Sequence, residues 1–161
     1  IMEDIWNITA LVVSVLSVLL SLYALRQATT KNTSDMYLFF ISQYAKEEMK
    51  LALRKLKDIK RGVYRLEQWE SDMKNNLPKA FEYDEARRLV KYFYDSLAYM
   101  KLEKLIEARF VRLLCLKKGA WLYLDTVEAM EKFFDSGYDK KPYAVIRDVC
   151  ENLRKEGCCP P

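Results

Sequence analysis

The sequence predicts an all-α protein: a single N-terminal transmembrane helix followed by a small bundle of about five helices. Three observations predict it. Residues 5–25 form a run of 21 without one charged side chain. As an α-helix rising about 1.5 Å per residue, such a run is roughly 30 Å long, the thickness of a bilayer's hydrocarbon core. Glycine and proline number only four each, and three of those eight fall in the last five residues, so few turns are available for a strand-rich fold. Beyond the apolar run, apolar residues recur at steps of three and four, with no strand alternation.

The elements follow in order. Glu3 and Asp4 precede the apolar run, and Arg26 and Lys31 follow it. A signal peptide would begin with bases and carry a shorter apolar core, so the run is read as an anchor. Trp6 and Tyr23 stand near its ends, where aromatic rings settle at the headgroup level. A polar stretch at 27–34 then offers a break. The boundary is placed after residue 33, giving an anchor and juxtamembrane segment (1–33), a helical domain (34–157) and a tail (158–161).

Asp35 opens a helix predicted to run to about Lys60, with Met49, Leu53 and Leu56 on one side and Gly62 as its stop. Val63, Leu66 and Trp69 mark a second helix. Asn75-Asn76-Leu77-Pro78 is the clearest internal break, because the residue before proline avoids helical geometry. Asp84 is then expected to cap a long helix carrying Ala86, Val90, Phe93, Leu97 and Met100. Phe110 to Leu116 reads as a short apolar helix stopping near Lys117-Lys118-Gly119. Val127, Met130 and Phe134 form one face of the next helix. The last helix has Pro142 in its first turn, buries Tyr143, Ile146, Cys150 and Leu153, and stops at Gly157.

This order of features resembles an uncharacterised family of short microbial proteins with one N-terminal membrane helix and a small cytoplasmic helical domain. The likeness is carried by Ser21-Leu22-Tyr23-Ala24-Leu25-Arg26 closing the apolar helix, by Lys46-Glu47-Glu48-Met49-Lys50-Leu51-Ala52-Leu53-Arg54, and by Ala86-Arg87-Arg88-Leu89-Val90-Lys91-Tyr92-Phe93-Tyr94-Asp95-Ser96-Leu97-Ala98. A Leu105-Ile106 step and an aromatic-rich helix from Trp121 complete it. The resemblance implies an architecture and supplies no activity or catalytic residues.

The chain contains no histidine, which removes the commonest general base, pH switch and metal ligand together. It has no phosphate-cradling glycine loop, no nucleophile elbow and no Cys-x-x-Cys pair. No catalytic residue, metal site or cofactor is therefore expected. Cys115 and Cys150 lie in apolar helical patterns and are expected to fill the core, whereas Cys158 and Cys159 lie in the tail.

Two surfaces stand out instead. Asn7, Ala10, Ser14, Ser17, Ser21, Ala24 and Ala28 follow at alternating steps of three and four, a period of 3.5 that places small or amide side chains on one stripe of the apolar helix. Such stripes let helix backbones approach closely in lipid, so self-association or docking to a partner helix is expected. A pore lined by Ser14, Ser17 and Ser21 is the alternative. The second surface is Lys46, Lys50, Arg54, Lys55, Lys57, Lys60, Arg61 and Arg65, eight bases against three acids, so this segment's net +5 exceeds the +4 of the whole chain. Beside a membrane such a segment is drawn to anionic lipid by about 1 kcal/mol per base. The absence of a recognised module argues against nucleic acid.

Bases follow the apolar run and acids precede it, so the positive-inside rule puts the N-terminus outside and the domain in the cytoplasm. The sequence is thus read as a single-pass cell-membrane protein. It is expected to act as a self-associating or accessory subunit, non-catalytic, with membrane lipid and a homo-oligomer or larger membrane complex as its partners.

Overall fold

A computed structural model describes the backbone of residues 2–134 and 138–158, and the side chains of 16–25, 27, 31–134 and 138–158. The described residues are helical throughout, with no strand. The helices are α1 (Met2–Ala45), α2 (Glu47–Lys60), α3 (Leu66–Lys74), α4 (Pro78–Leu102), α5 (Ala108–Cys115), α6 (Lys118–Leu122), α7 (Glu128–Phe134) and α8 (Lys140–Lys155), with a π-helical turn, Tyr123–Val127, joining α6 to α7. The chain divides into two compact units, Ile1–Met36 and Tyr37–Pro161.

In the first unit the backbone is helical across 2–36. Leu16, Val18, Leu19, Leu20, Leu22, Tyr23 and Leu25 are each more than half exposed, from 54% at Leu16 to 68% at Leu20. Among the described residues, no helix is long and apolar enough to cross a membrane. The first part of the uncharged run, through Val15, contributes no described side chains.

In the second unit α4 is the central helix, packed against α2, α3, α5, α8 and the π turn. Ala86, Val90, Phe93 and Leu97 are buried as the three-and-four spacing predicts, Tyr94 and Ala98 are buried beside them, and Met100 is half-buried. Met49, Ala52, Leu56 and Ile59 from α2 close one side, and Tyr143, Ile146, Val149, Cys150 and Leu153 from α8 close another. Each fully buried aliphatic side chain here is worth roughly 1.5–3 kcal/mol. Cys115 and Cys150 are both buried in this core as free thiols. The thiol of Cys115 is pushed above its ordinary value by its hydrogen bond with Cys150 and by burial.

Four of these helices stop in the same way. A residue with positive φ follows the cap, and the next backbone N–H reaches back to a carbonyl one turn inside the helix. Gly62 does this after α2, with Val63 N–H bonding Asp58 O at 3.0 Å, and Gly157 does it after α8. Asn76 (φ 54°) and Lys104 (φ 58°) do it after α3 and α4 without being glycine.

Several helix limits differ from the sequence expectation, each for a physical reason. The helix expected from Asp35 to Lys60 is interrupted at Lys46, whose backbone is extended (ψ 146°). Tyr37, Phe40 and Tyr44 pack as the end of α1, while α2 starts afresh at Glu47 and turns Met49, Ala52, Leu56 and Ile59 inward. Val63 lies outside any helix and is 73% exposed. The long helix begins at Pro78, not at Asp84. Leu77 is the extended residue before proline and Pro78 occupies the first turn, where a missing N–H costs nothing. Asp84 sits inside the helix because Arg87 and Arg88, three and four residues on, hold its carboxylate. Gly119 does not stop a helix but lies within α6. A Cβ there would come 2.8 Å from the Tyr94 hydroxyl oxygen, so close packing is what selects glycine.

Candidate functional site

Of the small-residue stripe, Ser17, Ser21 and Ala24 have described side chains, and all three are exposed. The Ser21 hydroxyl donates to the Ser17 carbonyl of its own helix at 2.8 Å, a back-bond that serine makes inside helices. The side chains of Asn7, Ala10, Ser14 and Ala28 lie outside the described residues.

The basic segment spans Lys46, α2 and the turn after it. Lys46, Lys50, Arg54, Lys60, Arg61 and Arg65 are exposed, and Lys55 and Lys57 half-buried. Three acids neutralise this face in part. Lys50 pairs with Glu47 at 3.2 Å, Lys55 with Glu82 at 2.9 Å and Lys60 with Asp125 at 2.5 Å. Two of these acids come from other helices, which periodicity along α2 cannot see. Among the described residues no carboxylate pairs with Lys46, Arg54, Lys57, Arg61 or Arg65, so these five carry the uncompensated charge of the segment.

Between α4, α7 and α8 lies a buried charge network. Arg87 donates to Asp84 at 2.8 Å and also pairs with Glu131. Arg88 holds the other Asp84 oxygen. Lys91 bonds Asp95 at 2.6 Å and stands 3.7 Å from Glu131. Tyr123 donates its hydroxyl to the second Asp95 oxygen at 2.5 Å. Glu128 accepts from Tyr138 on one oxygen and Arg147 on the other. Both oxygens of Asp84, Asp95 and Glu128 therefore accept hydrogen bonds, whereas buried Glu131 is met only by the charges of Arg87 and Lys91, and its Oε1 has no hydrogen bond. Five bases, Arg87, Arg88, Lys91, Lys132 and Arg147, pair with the four acids, and Arg88, Lys132 and Arg147 reach them from the exposed side.

Tyrosine hydroxyls complete this network as neutral donors. Burial, then the bond to Asp95, pushes Tyr123 far above the ordinary tyrosine value. Burial and Glu128 push Tyr138 up to about 12. The π turn sets Tyr123 in place. Its ring stacks on Tyr143 at 4.4 Å while its hydroxyl meets Asp95 on α4. Further rings continue inward, with Tyr94 at 5.2 Å from Tyr123 and Phe93 at 5.0 Å from Tyr94. The network joins α4, the π turn, α7 and α8. Among the described residues no group of three or more acids or cysteines is arranged to hold a metal ion.

The second unit also has a cavity of about 380 Å³ between the end of α1, the start of α2 and one face of α4. Phe40, Met49 and Phe93 are buried and form its floor; Phe39, Leu89 and Met100 line its more exposed walls. Sequence reading missed it, because it exists only where α1 continues past residue 34 and breaks at Lys46. The adjacent Phe39-Phe40 pair was the one available signal.

The second unit is thus defined as a helical bundle with an ion-paired network and an open apolar cavity. Comparison with protein-family models, with curated proteins and with solved structures found no match.

Proposed function

We propose that the chain is a membrane-anchored, non-catalytic subunit that self-associates or joins a larger membrane complex through its apolar helix and presents the helical bundle to protein partners on the cytoplasmic side. The observation that carries this reading is the exposure of the large apolar side chains between Leu16 and Leu25, within an uncharged run of 21 residues. Left in water, that surface far exceeds the isolated apolar residues usual on a soluble protein; lipid, with a partner helix against the serine stripe, removes the cost. The five uncompensated bases support contact with anionic headgroups, and an ionic core in which each acid is paired with a base supports a structural rather than a catalytic domain. The back-bond of Ser21 favours packing over the pore alternative, because its hydroxyl is spent on its own helix.

Native mass spectrometry of the full chain released from membranes in mild detergent tests the reading. A fixed copy number or a fixed companion is expected, and replacing Ser14, Ser17 and Ser21 together by leucine is expected to reduce the assembly to single chains. A wild-type chain found alone would remove the association, and conductance across reconstituted bilayers would replace it by the channel.

A further inference from the structure

We propose that the cavity between α1, α2 and α4 binds one acyl chain of an amphiphile whose head group is neutral overall, as in a zwitterionic single-chain phospholipid. The volume of about 380 Å³ falls within the range of small-molecule sites, roughly 300–1,000 Å³. The floor of Phe40, Met49 and Phe93 is buried and carries no hydrogen-bonding side chain. Met49 and Met100 add unbranched, polarisable side chains that conform to a flexible chain.

The rim decides the head group. It brings together one base, Lys46, one acid, Glu48, and three neutral groups, Gln43, Tyr92 and Ser96. Lys46 and Glu48 are both exposed, and among the described residues neither has an ion-pair partner. A purely anionic head would meet Glu48 and a purely cationic one Lys46, whereas a zwitterion or a hydroxylic head satisfies both. Tyr92, 76% exposed beside this mouth, offers an aromatic face and a hydroxyl at the depth where a head group would lie. The source of the ligand rests on the membrane reading. The cavity begins at Phe39, fourteen residues after the uncharged run ends at Leu25, so an anchored chain meets lipid at high effective concentration. The cavity itself does not depend on that reading.

The test uses the full chain in phosphatidylcholine nanodiscs with lysophosphatidylcholine carrying a diazirine in its acyl chain, followed by photolysis and peptide mapping. Saturable adducts are expected on residues 39–49 and 89–100, and unlabelled lysophosphatidylcholine is expected to suppress them more effectively than palmitate, whose head is anionic. Ser96→Phe, which fills the cavity from α4, is expected to lower those adducts by about tenfold or more, because the space for the acyl chain is gone. Adducts on residues 16–25 should persist, since they report only the bilayer. Adducts confined to 16–25, adducts that do not saturate, or cavity adducts unchanged in a folded Ser96→Phe chain would overturn the proposal. So would protection of the cavity by a second copy at high protein concentration. If Ser96→Phe fails to fold, the competition in the wild-type chain decides. If the chain never enters nanodiscs, the anchoring reading fails alone, and the same saturation experiment on the lipid-free chain still tests the cavity.

Discussion

Arg87 serves two buried acids at once, Asp84 on its own helix and Glu131 on α7. Its guanidinium also lies over the Phe134 ring, 4.8 Å from the centroid. Removing Arg87 leaves buried Asp84 with Arg88 alone and buried Glu131 with only Lys91, 3.7 Å away. Arg87→Met is therefore predicted to cost about 3–5 kcal/mol in urea unfolding, well above the ordinary surface substitution. Adding Glu131→Leu to that variant is predicted to recover part of the loss, because one uncompensated acid is removed with its partner. The tyrosines make a second prediction. Burial raises the folded-state values of Tyr94, Tyr123 and Tyr143 above their unfolded value of about 10. Their protonated forms therefore contribute stability that is complete below about pH 10 and is lost as pH rises above it, where the unfolded chain gives up protons the folded chain retains. The urea midpoint is predicted to hold level to about pH 9 and then fall. Tyr123→Phe is predicted to be less stable at neutral pH by about 1.5–3 kcal/mol, for its hydrogen bond to a charged group, and to fall less steeply in alkali. An equally steep fall in Tyr123→Phe would show that Tyr123 is not one of the titrating groups.

Helix ends show which parts of this fold local chemistry announces. Gly62 and Gly157 stop α2 and α8 where the sequence says they should, because glycine adopts positive φ without penalty. Lys104 takes the same conformation at the end of α4 with a Cβ in place, so no residue type marks that stop. Lys104→Gly is accordingly predicted to raise stability by about 0.5–1 kcal/mol, read as a higher thermal midpoint, since the strain relieved exceeds the added freedom of the unfolded chain. Asp84 illustrates the opposite error. Aspartate before an apolar run reads as a cap, and only the paired bases at Arg87 and Arg88 hint that it lies inside the helix and buried. The apolar faces of α4 and α8 were legible because their period is local. The π turn at Tyr123–Val127 was not, because it serves a hydrogen bond to Asp95, 28 residues earlier in the chain. The cavity and the ionic core were hidden for the same reason. The cavity joins residues from three elements and the ionic core from four, and neither leaves a periodic trace in any one of them.

Across the whole molecule, the charge pattern and the apolar run point one way. The positive excess follows the uncharged run in sequence, and the acids Glu3 and Asp4 precede it. Polar groups within the second unit pair mostly with one another, whereas the apolar side chains of residues 16–25 are left to an environment the protein itself does not supply. In the proposed reading, lipid fills that need and gives the serine stripe and the basic segment their proposed roles. The most direct test is ultracentrifugation of the full chain expressed in cells, without detergent and after a high-salt wash that releases proteins held by charge alone. The account predicts that the chain stays in the membrane pellet and that Leu16→Arg, costing about 2.5–3.5 kcal/mol near the centre of a spanning helix, shifts it toward the supernatant. A wild-type chain recovered in the supernatant as a monodisperse particle would contradict it.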